Sequence, residues 1–304
     1  MGSSRLFAYL QLTRPANVVT AIADIWAGVA VAGAWAYITV GENSVSQEIL
    51  LNIIWLSIST IGLYGGGVAI NDVFDAELDA IERPERPIPS GRVSKSSAAW
   101  MSLILLVIGV LAAAQVNLVS AGIALTVAVL AVLYDYWGKH QNLLGPINMG
   151  LCRTGNLLLG VSIAPELLST FWPLGLIPLI FVAAITMISR GEVHGKNRNA
   201  LYGGLTMYIV VILVIGAMPF VHGTAPWEVF PFLALLSYMI FPPLIKAIRS
   251  QNPKLIGKSV KAAVISLIIV NASLAAAFAG LQIGIIVLLL LPISLWLAKK
   301  FAVT

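Results

Sequence analysis

Apolar residues in this chain run in long stretches separated by short polar breaks. They neither alternate, as in a half-buried strand, nor keep to one stripe, as in a surface helix. About 20 apolar residues are needed for a helix to cross a bilayer. Ten stretches approach that length, at 16–38, 49–71, 96–115, 118–137, 144–164, 172–189, 200–220, 228–248, 259–279 and 282–298. The pattern predicts an all-α, polytopic membrane bundle of nine or ten transmembrane helices, forming one domain over residues 1–304. Composition agrees, with 59% hydrophobic and 10% charged residues and a mean hydropathy of +0.93, far outside soluble norms. Arg14 and Pro15 precede a full-length span, so no cleavable signal is expected. The single Cys152 leaves no partner for a disulfide within the chain.

Charge then sets orientation. With the N-terminus placed inside, seventeen of the eighteen Lys and Arg residues fall on the inner side, and Arg153 alone lies within a span. The connections near 39–48, 116–117, 165–171, 221–227 and 280–281 hold no basic residue. Both termini and the active face are therefore expected to be cytoplasmic. The +5 net charge reflects this loop bias and an affinity for anionic lipid headgroups, so no nucleic-acid partner is expected.

Between two apolar runs, Asn71–Ser94 (NDVFDAELDAIERPERPIPSGRVS) holds six of the thirteen acidic residues. Asn71, Asp72, Asp75 and Asp79 follow N-D-x-x-D-x-x-x-D. If the preceding helix continues, Asp72, Asp75 and Asp79 share one face. Stacked carboxylates repel unless a cation sits between them. Oxygen-only donors without nearby His or Cys point to a hard ion, Mg2+, whose shell water and phosphate complete. Arg83, Arg86 and Arg92 follow at once, with guanidinium forks suited to phosphate oxygens. A charged loop between spans is more often a solvated loop; here strict helical spacing and the stiffening Pro84, Pro87 and Pro89 favour a diphosphate site.

Polar residues inside spans extend the picture. Asn17, Thr20 and Asp24 share a helical face that looks into the bundle, and Asp24 is either functional or a hydrogen-bonded tie between helices. Tyr134, Asp135 and Tyr136 precede Lys139; the tyrosines also suit an interfacial anchoring role. Asn148, Arg153 and Asn156 lie in the fifth span. Arg153 costs about 2.5–3.5 kcal/mol there if unpaired, so it needs Asp24, Glu192, Asp135 or the substrate as partner. After the sixth span, ISRGEVHGKNRNAL carries Arg190, Glu192, His194, Lys196 and Arg198. Asn271 and Ser273 receive no role.

The stretch at 71–94, with its acids, arginines and P-S-G turn in order, resembles the first aspartate-rich motif of the UbiA superfamily of intramembrane prenyltransferases. The resemblance covers about residues 12–280. It implies transfer of a prenyl group from a prenyl diphosphate to a small or lipid acceptor, with Mg2+ at Asp72, Asp75 and Asp79 and the diphosphate beside Asn71, Arg83 and Arg86. RPAN resembles the opening motif, placing Asn17 near the diphosphate. Tyr134 and Lys139 resemble a Y-x-x-x-K motif offset by one residue. The run around Asn148 and Arg153 is similar to a pattern that lines the substrate cavity, and implies a catalytic Arg153. The segment after the sixth span departs from the family: its three acidic positions become Ser189, Glu192 and Lys196. Lys196, with Arg190 and Arg198, then replaces a second metal, while His194 serves as base, ligand or neither. Alternatively the chain is a catalytically divergent UbiA-like protein that binds or moves a lipid-linked metabolite. RPANVVTAIADIWAG is similar to such a divergent, EboC-like branch.

Overall fold

In the computed structural model, residues 5–40, 43–141, 143–190 and 198–301 are described. Among them there is helix and no strand. The order is α1 Arg5–Leu12, α2 Pro15–Val31, α3 Trp35–Val40, α4 Asn43–Phe74, α5 Ala76–Glu82, α6 Lys95–Ala114 and α7 Leu118–Tyr136. A 3-10 turn at Gly138–His140 leads into α8 Leu144–Val161. Then follow α9 Leu168–Phe171, α10 Leu176–Ser189, α11 Arg198–His222, α12 Pro226–Ser250, α13 Pro253–Leu288 and α14 Leu290–Phe301.

Local chemistry places the helix starts. Pro15 opens α2 at a position where its missing N–H costs nothing. Ser94 caps α6 by accepting from the Ser97 backbone, and Asn117 caps α7 by accepting from Ser120. The expected span at 259–279 and the shorter run at 282–298 form one helical path interrupted at Gly280, whose φ of 82° suits a residue without Cβ. Glu228 reaches this kink and accepts the Leu281 backbone N–H at 2.9 Å. The expected start at 172 is also modified: Pro165–Leu167, α9 and Trp172–Gly175 form short turns before α10.

Seven helical segments are long and apolar enough to cross a membrane. The 17-residue α2 is shorter, and the Gly- and Asn-rich α8 is not among the seven. Burial nevertheless puts both at the centre. One apolar core joins α2 and α8 to α10, α11, α12 and α13. A second joins the same two helices to α4, α6 and α7. The helices α2 and α8 meet closely because Gly28 and Gly160 face each other. A Cβ on Gly28 would lie 2.2 Å from the Leu157 carbonyl oxygen, and one on Gly160 2.3 Å from that of Ile25. Small residues let membrane helices approach this closely, and the approach brings α2's polar face against α8's.

Candidate functional site

The helix of α4 ends at Phe74 and α5 begins at Ala76, with Asp75 between them outside standard helical geometry. Backbone bonds still run from Asp75 N–H to the Asn71 carbonyl and from Asp79 N–H to the Asp75 carbonyl. The helical path therefore continues through the acidic motif with one local irregularity. The carboxylates nevertheless take partners on two sides.

Asp72 Oδ1 accepts from Arg14 at 2.8 Å and lies 3.4 Å from Arg86, while Asp79 Oδ2 accepts from Arg86 at 2.7 Å. Asp75 instead pairs with Lys139, on the turn after α7. Lys139 also sits 5.7 Å from the centre of the Phe74 ring. Burial alone would depress the Arg14 guanidinium, but the neighbouring Asp72 carboxylate outweighs this and holds it above its ordinary value. Arg92 is structural: it donates to the Glu85 carbonyl and to Gln11, tying the loop to α1.

Among the described residues, each of the three carboxylates has one oxygen engaged by a cation and a second that accepts no side-chain hydrogen bond. Hard oxygen donors of this kind fit Mg2+. Among the described residues, however, no three His, Cys, Asp or Glu side chains already converge as a metal cage. The donors fit the ion; their present arrangement is one of salt bridges.

Beside this cluster opens a cavity of about 240 Å³, lined by Arg14, Tyr64, Asn71, Tyr134, Asp135, Arg153 and Asn156 together with apolar side chains of α4, α7 and α8. Asn71 donates to Asp135 at 2.6 Å. Asp135 thus brings a fourth carboxylate to the site, while in sequence it stood only as one of several partners for Arg153. Asn71 lies seven steps along α4 from Tyr64, roughly 10 Å at 1.5 Å per residue, so Tyr64 marks the deep end.

At that depth Arg153 is 5% exposed and Asp24 0%. Arg153 donates to Asp24 Oδ2 at 2.7 Å and to Thr20 at 2.7 Å, and its guanidinium lies 4.8 Å from the Tyr64 ring centre. Asn271 donates to Asp24 Oδ1 at 2.6 Å. Of the four partners open to Arg153, the structure selects Asp24. Asn271 carried no signal beyond being an amide in an apolar span.

Other expected site residues lie apart. Asn17 and Arg83 are half-buried, and neither side chain bonds a described residue. Asn148 is buried below the turn at Gly138 and takes a contact from Cys152. Arg190 donates to the Gln141 carbonyl at 2.6 Å, joining the end of α10 to the α7–α8 turn. Arg198 is exposed at the start of α11, and Ser189 donates to the Thr186 carbonyl of its own helix. Glu192, His194 and Lys196 lie outside the described residues.

A model of the UbiA prenyltransferase family matches residues 27–260. The digeranylgeranylglyceryl phosphate synthase of Methanopyrus kandleri is 30% identical over 243 residues, covering 75% of this chain and 83% of that protein. A UbiA homolog from Aeropyrum pernix K1 superposes with a TM-score of 0.67 at 16% identity, covering 84% of this chain and 96% of the other. One from Archaeoglobus fulgidus, bound to GPP and Mg2+, gives 0.63 at 15% identity, covering 90% and 99%. At these identities the two structures share the fold.

Proposed function

The chain belongs to the UbiA prenyltransferase family, and from that premise we propose that its donor diphosphate binds at Asn71–Arg92 and its acceptor in the adjoining cavity. The protein is a multi-pass membrane protein and an intramembrane prenyltransferase. The observation that carries the assignment is that Arg14, which bonds Asp72, also lines the cavity, while Arg86 bonds Asp72 and Asp79 and Lys139 bonds Asp75 beside it.

Asp72, Asp75 and Asp79 would hold Mg2+, which when bound supplies positive charge to the diphosphate oxygens. Arg14, Arg86 and Lys139 neutralise the acids now; an arriving diphosphate offers them competing oxygens at the same place. Their charges matter most as the C1–O bond breaks and its electron pair leaves with the diphosphate. Apolar walls at Leu63, Val68, Val127 and Ala131 exclude water, leaving the allylic cation to the acceptor. The acceptor's nucleophilic atom forms the new bond to C1 and releases its proton.

Because the cations act on charge that develops in the transition state, Arg86→Ala and Lys139→Ala should each lower kcat/KM. One charge-assisted contact is worth about 1.5–3 kcal/mol, or roughly ten- to a hundredfold. Pyrophosphate release from geranylgeranyl diphosphate is the readout, and unchanged kinetics in both variants would remove these residues from the site. Lys196→Ala in the same assay tests the replacement of a second metal by charge, and an equal rate would reject it.

We read ten spans, counting α2, α8 and both arms at Gly280, with termini and motif loops cytoplasmic. In a Cys152→Ser background, Ala80→Cys should resist membrane-impermeant maleimide on intact cells and react in inverted vesicles. Labelling from outside would reverse the topology.

A further inference from the structure

The cavity's deep end has a chemistry that prenyl transfer alone does not ask for. A chamber built only for an isoprenoid chain is best lined by carbon, yet here it ends on Tyr64, Arg153 and Asn156. Asn156 is 3% exposed, lines the cavity, and its side-chain oxygen has no hydrogen-bond partner among the described residues. Buried polar atoms are almost always paired with protein, water or ligand, so an unpaired carbonyl at a cavity wall takes its donor from the cavity, from water when it is empty and from a hydroxyl when one is bound. Arg153 stands beside it with five N–H donors, two of which bond Asp24 and Thr20. The Arg153 charge is balanced by Asp24 at 2.7 Å, so this end is polar but close to neutral. A charged group moved there would lose its hydration without gaining a counter-ion. A phosphate is accordingly favoured at the mouth, not at depth. The volume of about 240 Å³ equals roughly eight waters at about 30 Å³ each, enough for one ring or a short chain.

We propose that Tyr64, Arg153 and Asn156 form a recognition site for a small, uncharged, hydroxyl-bearing head group of the acceptor. The inference rests on reading this cavity as the acceptor chamber. The hydroxyl donates to Asn156 and accepts from Arg153, while Leu63, Val127 and Met149 surround its carbon frame. This hydroxyl lies roughly 10 Å from the donor end, so it positions the acceptor while a different atom attacks.

Three single-ring probes of matched size test the site: 4-fluorophenol, 4-fluorotoluene and 4-fluorobenzoate, observed by fluorine NMR. The full chain is held in lipid nanodiscs without metal or diphosphate, and empty nanodiscs correct for partition into lipid. Saturable binding of 4-fluorophenol is expected, at least about tenfold tighter than either other probe. Asn156→Leu should weaken 4-fluorophenol about tenfold, one neutral hydrogen bond, and leave 4-fluorotoluene unchanged. In the wild-type protein, 4-fluorotoluene or 4-fluorobenzoate binding as tightly as the phenol would overturn the proposal, whatever the variant does. Pyrophosphate release from geranylgeranyl diphosphate is followed in parallel. Phenol selectivity without release would overturn the donor-site reading and leave the hydroxyl site standing; release without selectivity would do the reverse.

Discussion

Asp72→Ala and Asp75→Ala are each expected to abolish Mg2+-dependent binding of a prenyl diphosphate while leaving the bundle folded. Removing a partner one step outside a metal's own ligands already costs ten- to a hundredfold in affinity, so losing a direct donor should exceed about a hundredfold. The fold should survive because the acids lie at the end of α4, outside the two large apolar cores, and the small cluster of Ala8, Leu12, Ala69, Val93 and Ala98 beside them is built from other side chains. Arg86 also keeps Asp79 when Asp72 is removed. Isothermal titration with Mg2+ and geranylgeranyl diphosphate gives the affinity, and thermal unfolding gives the control. Wild-type affinity in both variants would show that these aspartates hold no metal.

The second large effect concerns the ion pair at depth. Removing one partner of a buried pair strands the other charge, at a typical cost of about 3–5 kcal/mol. Asp24→Leu leaves Arg153 without a counter-charge, with only Thr20 and the Tyr64 ring beside it, and Arg153→Leu leaves Asp24 with the neutral amides of Asn271 and Asn156. Each should lower the unfolding midpoint sharply. The double variant Asp24→Leu, Arg153→Leu should recover much of the loss, because two apolar side chains then replace two charges that needed each other. Chemical unfolding of all four proteins closes the cycle. Single variants as stable as wild type, or a double loss equal to the sum of the singles, would contradict the pairing.

How much of this was legible in the sequence depended on whether the signal was local. Apolar runs located the membrane helices, because length and hydropathy are properties of a segment. The break after Phe74 was less visible, since helical spacing of Asp72, Asp75 and Asp79 says nothing of one residue leaving helical geometry. Asp75 meets Lys139, while the other two meet Arg86 and Arg14. Arg14 counted only as a loop charge in sequence, yet it bonds Asp72 across 58 positions. The partner of Arg153 lies 129 positions away, and no periodicity tells which helix will face α8. The closeness of Gly28 to Gly160 settles that choice. Asp135 and Asn156 gained meaning only when folding put one against Asn71 and left the other without a partner. The segment holding Glu192, His194 and Lys196 remains argued from sequence, outside the described residues.

The central claim is that the 71–92 stretch activates a prenyl diphosphate. Purified protein in nanodiscs, given radiolabelled geranylgeranyl diphosphate, Mg2+ and a lipid extract as acceptor source, tests it most directly. The expected result is pyrophosphate release with label transferred to an acceptor, dependent on Mg2+ and lost in Asp72→Ala. Release that persists in Asp72→Ala, or that ignores removal of Mg2+ by chelation, would contradict it.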